Sequence, residues 1–240
     1  MGRCVARRRL FSALSATDVQ CRNIGDLRAV EPLIALLDAD ELVAVDAAVA
    51  LGQLKDRRAV PALIRLATAD DLMVGPAAVD ALAAIGDPAA VMPLIGLLDD
   101  DSLTNAIEAL AALGDQRAVQ PLLDQLANPD ADHMRVVAAL GTLKATEAVP
   151  MLIDSLDAED LGVSYMAIEA LGRIGDPRAM GPLIAIIDRY GSEGQHQGAV
   201  ATALSNITGD LEGHGDRCYG QACIDYWRAR VPAVAPDTRN

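Results

Sequence analysis

The fold is decided by the stretch Ile174-Gly175-Asp176-Pro177-Arg178-Ala179-Met180-Gly181-Pro182-Leu183-Ile184. Glycine after an apolar run ends a helix, because it takes the left-handed conformation at little cost. The aspartate beside it can cap the next helix, and proline suits a first helical position. The closing pair recurs as Leu33-Ile34, Leu63-Ile64, Leu94-Ile95, Leu122-Leu123, Leu152-Ile153 and Leu183-Ile184, at spacings of 30, 31, 28, 30 and 31 residues. Three residues before each leucine stands Val30, Val60, Val91, Val119, Val149 or Met180, with a proline in between every time. A constant period of this length is the signature of stacked supersecondary repeats.

Each repeat has a second half written Ala-Leu-Gly or a near variant: Ala50-Leu51-Gly52, Ala81-Leu82-Ala83, Ala109-Leu110-Ala111, Ala139-Leu140-Gly141, Ala170-Leu171-Gly172 and Ala203-Leu204-Ser205. Gly-Asp follows or precedes at Gly25-Asp26, Gly86-Asp87, Gly114-Asp115 and Gly175-Asp176, sometimes with Pro88 or Pro177 next. The unit therefore reads helix A, turn, helix B, turn. Numbering helix B from the third residue of Ala-Leu-Gly as zero, apolar residues fall at about −9, −5, −2, −1 and +2, one stripe at 100° per residue. One helix pair cannot bury that stripe alone, so stacking on both sides must supply the core.

The expected fold is all-α: an α-α superhelix, a HEAT-like solenoid of about six two-helix repeats with end caps. Residues 1–24 read as a basic lead-in, Arg3 to Arg9, and an N-terminal half-repeat cap from Leu10 to Ile24. Residues 25–210 hold the six repeats, and residues 211–240 a capping segment and tail, all as one solenoid domain. A short helix around Ile224, Tyr226, Trp227 and Val231 is expected there, with the sole tryptophan sealing the last layer.

Composition agrees. Of 240 residues, 52% are hydrophobic but only 2% aromatic, which favours helices packed through small side chains over a β-sandwich. Twenty Lys and Arg against 34 Asp and Glu give a formal charge of −14, a field that repels phosphate backbones and attracts cationic partners. Nucleic acid is thus a disfavoured partner. No apolar stretch is long enough to span a bilayer, and the basic start lacks a following apolar segment, so no membrane is assigned and a cytoplasmic location is expected. Cys4, Cys21, Cys218 and Cys223 sit two near each end. Six helical layers between the pairs rule out one four-cysteine metal site within a chain. His214, Cys218 and Cys223 are close enough in sequence to hold a metal, but free thiols are the reading adopted, and no metal or cofactor is assigned.

The wording at 174–184 resembles the HEAT-like repeat named after phycobilisome lyases, and the resemblance covers about residues 10–210. It implies a binding scaffold in most cases, bilin attachment or isomerisation on phycobiliproteins in a few, and in one relative an iron-dependent hydroxylase. Ile207-Thr208-Gly209 followed by Trp227 is similar to an ending that bacterial members carry, without their usual run of tryptophans. The family's Arg at −8, which pairs with an Asp of the preceding turn in an inter-repeat ladder, is replaced here by Ala44, Gly75 and Ser164. That loss leaves Asp40, Asp71 and Asp160 without the ladder partner, so packing is expected to carry stability. The hydroxylase's repeated His-Glu pairs are absent; His133, His196 and His214 are each read as lone surface histidines.

No phosphate-binding loop, dinucleotide fingerprint or nucleophile elbow is present. Gly191 to Gly198 is the one glycine-dense loop, read either as a turn or as a partner contact. If helix B lines the concave side, as the resemblance implies, positions −3 and −7 face the groove. The candidate partner-binding residues are Val45, Val49, Asp80, Glu108, Met134, Tyr165 and Glu169, an acidic face suited to a partner protein or basic peptide. The expected function is a non-catalytic protein-binding scaffold with no catalytic residue. The alternative is a bilin lyase-like or chromophore-chaperone subunit.

Overall fold

The computed structural model describes residues 27–69, 73–98, 105–190, 196–210 and 221–230, and every regular element among them is helical. Six A/B pairs follow one another: α1 (Val30–Leu36) with α2 (Glu41–Leu54), α3 (Val60–Ala67) with α4 (Val74–Ile85), and α5 (Val91–Ile95) with α6 (Asn105–Leu113). Then come α7 (Val119–Leu126) with α8 (His133–Thr142), α9 (Val149–Asp154) with α10 (Leu161–Ile174), and α11 (Met180–Tyr190) with α12 (Gln197–Thr208). Last is α13 (Gln221–Arg230). The chain divides into two compact units between Leu113 and Gly114, so each unit takes three pairs.

In the first unit α2 packs on α4 and α4 on α6; in the second α8 packs on α10 and α10 on α12. Each A helix lies against its own B helix. The recurrent residues explain why. Leu63, Leu94, Leu122, Leu152 and Leu183 are wholly buried, as are Leu51, Leu82, Leu110, Leu140, Leu171 and Leu204. Each such side chain contributes about 1.5–3 kcal/mol relative to exposure. The alanines at −2 are buried beside them, which brings neighbouring B helices close. Closer still is the approach over the glycines: a Cβ added to Gly52 would lie 2.9 Å from the Ala81 Cα, and one on Gly141 2.7 Å from that of Ala170.

The buried face of helix B is wider than the stripe read from sequence. Position −4 (Ala48, Val79, Ile107, Val137, Ile168, Ala201) is buried throughout, and so is −8 at Ala44, Gly75 and Ser164. The missing arginine is thereby explained. These sites face the packed interior, where Ser164 Oγ donates to the Leu156 carbonyl at 2.9 Å.

Contacts between repeats exist nonetheless, in the turns that lead into the A helices and not at the start of helix B. A 3-10 turn precedes each A helix, at Leu27–Ala29, Arg57–Ala59, Pro88–Ala90, Gln116–Ala118, Thr146–Ala148 and Pro177–Ala179. Asp56, Asp87, Asp115 and Asp176 cap four of them by accepting from the backbone N–H two residues on. Where that residue is arginine, its guanidinium forks back onto the same carboxylate, and in two cases it reaches on to an earlier turn. Arg58 donates to the Leu27 carbonyl at 3.0 Å, and Arg178 to that of Thr146 at 3.0 Å. Arg57 pairs with Asp87 of the next turn at 3.4 Å. The Arg117 side chain, then its backbone N–H, holds the Asp115 carboxyl down at about 2; Arg58 and Arg178 lower Asp56 and Asp176 in the same way. Packing therefore has polar support that the sequence reading denied it, and Asp160 is itself a cap, accepting from the Gly162 N–H.

Gly86, Gly114, Gly175 and Gly209 hold left-handed positions at helix ends, as the Gly-Asp pattern requires, and Lys55 and Lys144 take that conformation where glycine is missing. Trp227 is fully buried, and α13 rests on α11 and α12. The lead-in 1–24, the cysteines 4, 21 and 218, His214 and loop residues 191–195 lie outside the described residues.

Candidate functional site

All seven candidate residues lie on B helices, turned away from the buried columns. In the first unit Val49 on α2, Asp80 on α4 and Glu108 on α6 are exposed and Val45 is half-buried. The three helices carry Glu41, Asp46, Asp80 and Glu108 and no lysine or arginine. Asp80 is fixed by a residue that the sequence reading missed. Asn105, the first residue of α6, donates from Nδ2 to the Asp80 Oδ1 at 2.8 Å and to the Pro76 carbonyl at 2.9 Å. A neutral donor orients the carboxylate without cancelling its charge. Leu42, 70% exposed, widens the apolar part of this face next to Val45 and Val49. No periodic signal marks Leu42 or Asn105, since both stand at helix starts whose position depends on the preceding loop.

In the second unit Met134 on α8 and Tyr165 on α10 are exposed by 42% and 37%, and Glu169 is half-buried. Glu169 does not stand alone: Arg173 donates to it at 3.3 Å across one helical turn, so this acid is partly neutralised. Leu161 is a further exposed apolar residue, and Gly162 leaves room for the Met134 terminal methyl, which a Cβ there would meet at 2.7 Å. His196, expected on the surface, is buried at the start of α12, its ring edge-on to Tyr165 at 6.1 Å between centroids. It occupies −9, a position on the packed stripe. His133 Nε2 lies 2.7 Å from the Asn128 carbonyl.

The C-terminal ends of α8, α10 and α12 form an open groove of about 710 Å³ lined by Gly141, Thr142, Lys144, Gly172, Arg173, Ile174, Gly175 and Asn206. Thr142, Arg173 and Asn206 all occupy position +1, the exposed position one turn after −3. Among the described residues no group of three His, Cys, Asp or Glu side chains is placed to hold a metal.

The family profile for HEAT repeats matches residues 30–104 and 133–201. The chain belongs to the HEAT-repeat family. The profile for the PBS lyase HEAT-like repeat matches residues 103–128 of this HEAT-repeat protein. A bilin biosynthesis protein, PecE of Mastigocladus laminosus, is 50% identical over 50 residues, 20% of this chain and 19% of that protein. The match thus spans about a fifth of the relative's length.

Among solved structures, the complex of CpcE and CpcF of phycocyanin lyase from Nostoc sp. PCC7120 aligns with 89% of this chain and 85% of its own, at 23% identity and a TM-score of 0.47. An engineered protein aligns with 75% of this chain and 96% of its own, at 22% identity and a TM-score of 0.52. The latter likeness is one of fold. In this HEAT-repeat protein the functional information therefore rests on what its own B helices expose.

Proposed function

We propose that the chain is a protein-binding HEAT-repeat subunit of the bilin lyase type, one that holds a bilin or its acceptor protein on its exposed B-helix faces during chromophore attachment. The observation that carries this reading is the stretch of 50 residues at 50% identity to a bilin biosynthesis protein. A PBS lyase HEAT-like repeat at 103–128 supports it. The partner is a protein, the setting is cytoplasmic, and the contacts come from Val45, Val49, Asp80 and Glu108 in one unit and Met134, Tyr165 and Glu169 in the other. The chain supplies surface and orientation, so any lyase-like activity is shared with the partner.

The test is attachment. Phycocyanobilin and an apo-phycobiliprotein are incubated with and without the purified chain, alone and with a second HEAT-repeat lyase subunit, and covalent adduct is followed by zinc-induced fluorescence of the denatured protein. Faster or more selective adduct formation in the presence of the chain is expected. An unchanged rate and product in every combination would remove the lyase-type reading.

The second reading, a scaffold for a basic peptide, is favoured by the B helices of the first unit, which carry acids and no lysine or arginine. Binding of a Lys/Arg-rich peptide should weaken when Asp80→Asn, Glu108→Gln and Glu169→Gln are combined, and should fall as salt rises. Unaltered affinity in the triple variant would dismiss it.

A further inference from the structure

In the second unit, positions −7, −3 and +1 of each B helix lie one turn apart on a single exposed face. On α10 they are Tyr165, Glu169 and Arg173; on α8 Met134, Ala138 and Thr142; on α12 Gly198, Thr202 and Asn206. The Glu169–Arg173 bridge confirms the alignment of two of them. The face is polarised along the helix axes. Its N-terminal end is apolar and soft, with Met134, Leu161 and Tyr165 exposed. Its C-terminal end is the groove rimmed by Thr142, Lys144, Arg173 and Asn206. Eight residues of α-helix separate the two ends by about 12 Å.

The cationic end is available to an anion. Lys144 and Asn206 are exposed, and neither makes a side-chain hydrogen bond or ion pair among the described residues. In the Arg173–Glu169 pair the arginine is exposed and the glutamate half-buried, and such solvent-facing pairs hold little energy and rearrange readily. Helix C-termini ordinarily repel anions through unsatisfied carbonyls. Here several are occupied: those of Ala139, Leu140 and Gly141 accept from the N–H groups of Leu143, Ala145 and Lys144, and those of Leu171 and Ser205 from Gly175 and Gly209. Of the three glycines that line it, Gly141 and Gly172 are closed over by Ala170 and Ala203, whereas Gly175 has nothing within 4 Å of a Cβ position, so a ligand can lie against the backbone there.

We infer that this face binds an elongated organic anion with an apolar, conjugated body, seating the body on Met134, Leu161 and Tyr165 and its carboxylate or sulfonate between Lys144 and Arg173. Tyrosine offers a ring face and methionine a polarisable, adaptable contact to the body. Arg173 and Asn206 offer directional donors to the acid group. The inference deepens the proposed function, because a bilin is a conjugated chain bearing carboxylates, but the site itself follows from the geometry alone.

Two probes separate the two claims. Anilinonaphthalenesulfonate reports the site whatever the protein's role; biliverdin and its dimethyl ester report the bilin reading. The sulfonate should bind the full chain with enhanced fluorescence. Its affinity should drop about tenfold in Lys144→Gln/Arg173→Gln, the loss of one to two charge-assisted hydrogen bonds, and also in Tyr165→Ala and in Asn206→Asp. The last puts a negative charge into the groove without removing a cation. Biliverdin should follow the same pattern, while the diester should bind the wild type and the charge variants alike. Helical circular dichroism and melting of each variant show that folding is kept. Absence of sulfonate binding, or equal binding by wild type, Lys144→Gln/Arg173→Gln and Asn206→Asp, would overturn the site. Sulfonate binding that obeys the pattern without any biliverdin binding would uphold the site and count against the bilin reading; biliverdin binding indifferent to all variants would do the reverse.

Discussion

Gly172 on α10 and Ala203 on α12 are packed so closely that a Cβ on Gly172 would lie 2.7 Å from the Ala203 Cα and 2.8 Å from its Cβ. The same contact joins Gly52 to Ala81 and Gly141 to Ala170, always from position zero of one repeat to −2 of the next. It sets the spacing of the B helices, and with it the separation of the side chains those helices expose.

Gly172→Ala is therefore expected to destabilise the protein by about 1–3 kcal/mol, because the obstacle is backbone and cannot swing aside. Gly86→Ala is the control. Nothing lies within 4 Å of a Cβ there, but its φ of +74° should still cost about 1 kcal/mol. Urea melts of the two variants check this; a Gly172→Ala loss no larger than the Gly86→Ala loss would show that close approach is not what the glycine provides.

Lys55 holds a left-handed position, φ 53°, at the end of α2 where other repeats place glycine. Lys55→Gly should raise stability by about 0.5–1 kcal/mol through relief of that strain. A thermal melt that shifts downwards would refute the strain.

The Arg178 bond to the Thr146 carbonyl joins consecutive turns, and Arg58 does the same for Leu27. Arg178→Ala should lower stability more than Arg65→Ala on the exposed face of α3. Equal effects in chemical denaturation would mean that the turn ladder contributes nothing beyond an ordinary surface charge.

Asp115, at about 2, lies below its ordinary value near 3.8, and Asp56 and Asp176 are lowered too. A carboxyl depressed in the folded state binds fewer protons than in the unfolded chain across that interval, so folding is favoured at higher pH. The stability of the turns is fully present above about pH 4–5 and is lost as pH falls towards 2. Asp115→Asn should flatten part of that slope in a melting-temperature series from pH 6 to 2.5, whereas an unchanged slope would place the acid sensitivity elsewhere.

Much of the architecture was legible because it rests on local, repeated chemistry: Leu-Ile on helix A, Ala-Leu-Gly on helix B, Gly-Asp between them. The outward positions followed from the same periodicity, which is why Val49, Asp80, Glu108, Met134 and Tyr165 are exposed as expected. What escaped depends on tertiary placement. A period near 30 cannot show that Asp56 and Asp176 cap turns whose arginines reach back to earlier repeats, so the sequence reading found a ladder missing at −8 and no substitute for it. Nor does a one-face stripe reveal that a helix squeezed between an A helix and two B neighbours buries −4 and −8 as well. His196 was misread because its loop hides its register; counted from Ser205, it falls on the buried stripe. The groove at +1 has no periodic signal of its own, because Thr142, Arg173 and Asn206 share no side-chain chemistry and come together only where neighbouring B helices end side by side.

Helix A also exposes apolar side chains, Met92 among them at 58%, and this allows the central claim to be tested by comparing the two faces. The measurement is the rate of bilin attachment to an apo-phycobiliprotein in the presence of wild-type chain, of Tyr165→Ala/Glu108→Gln, and of Met92→Ala. Loss of the chain's effect in the B-helix variant with Met92→Ala unaltered is the predicted result; an intact B-helix variant beside an impaired Met92→Ala would contradict the account.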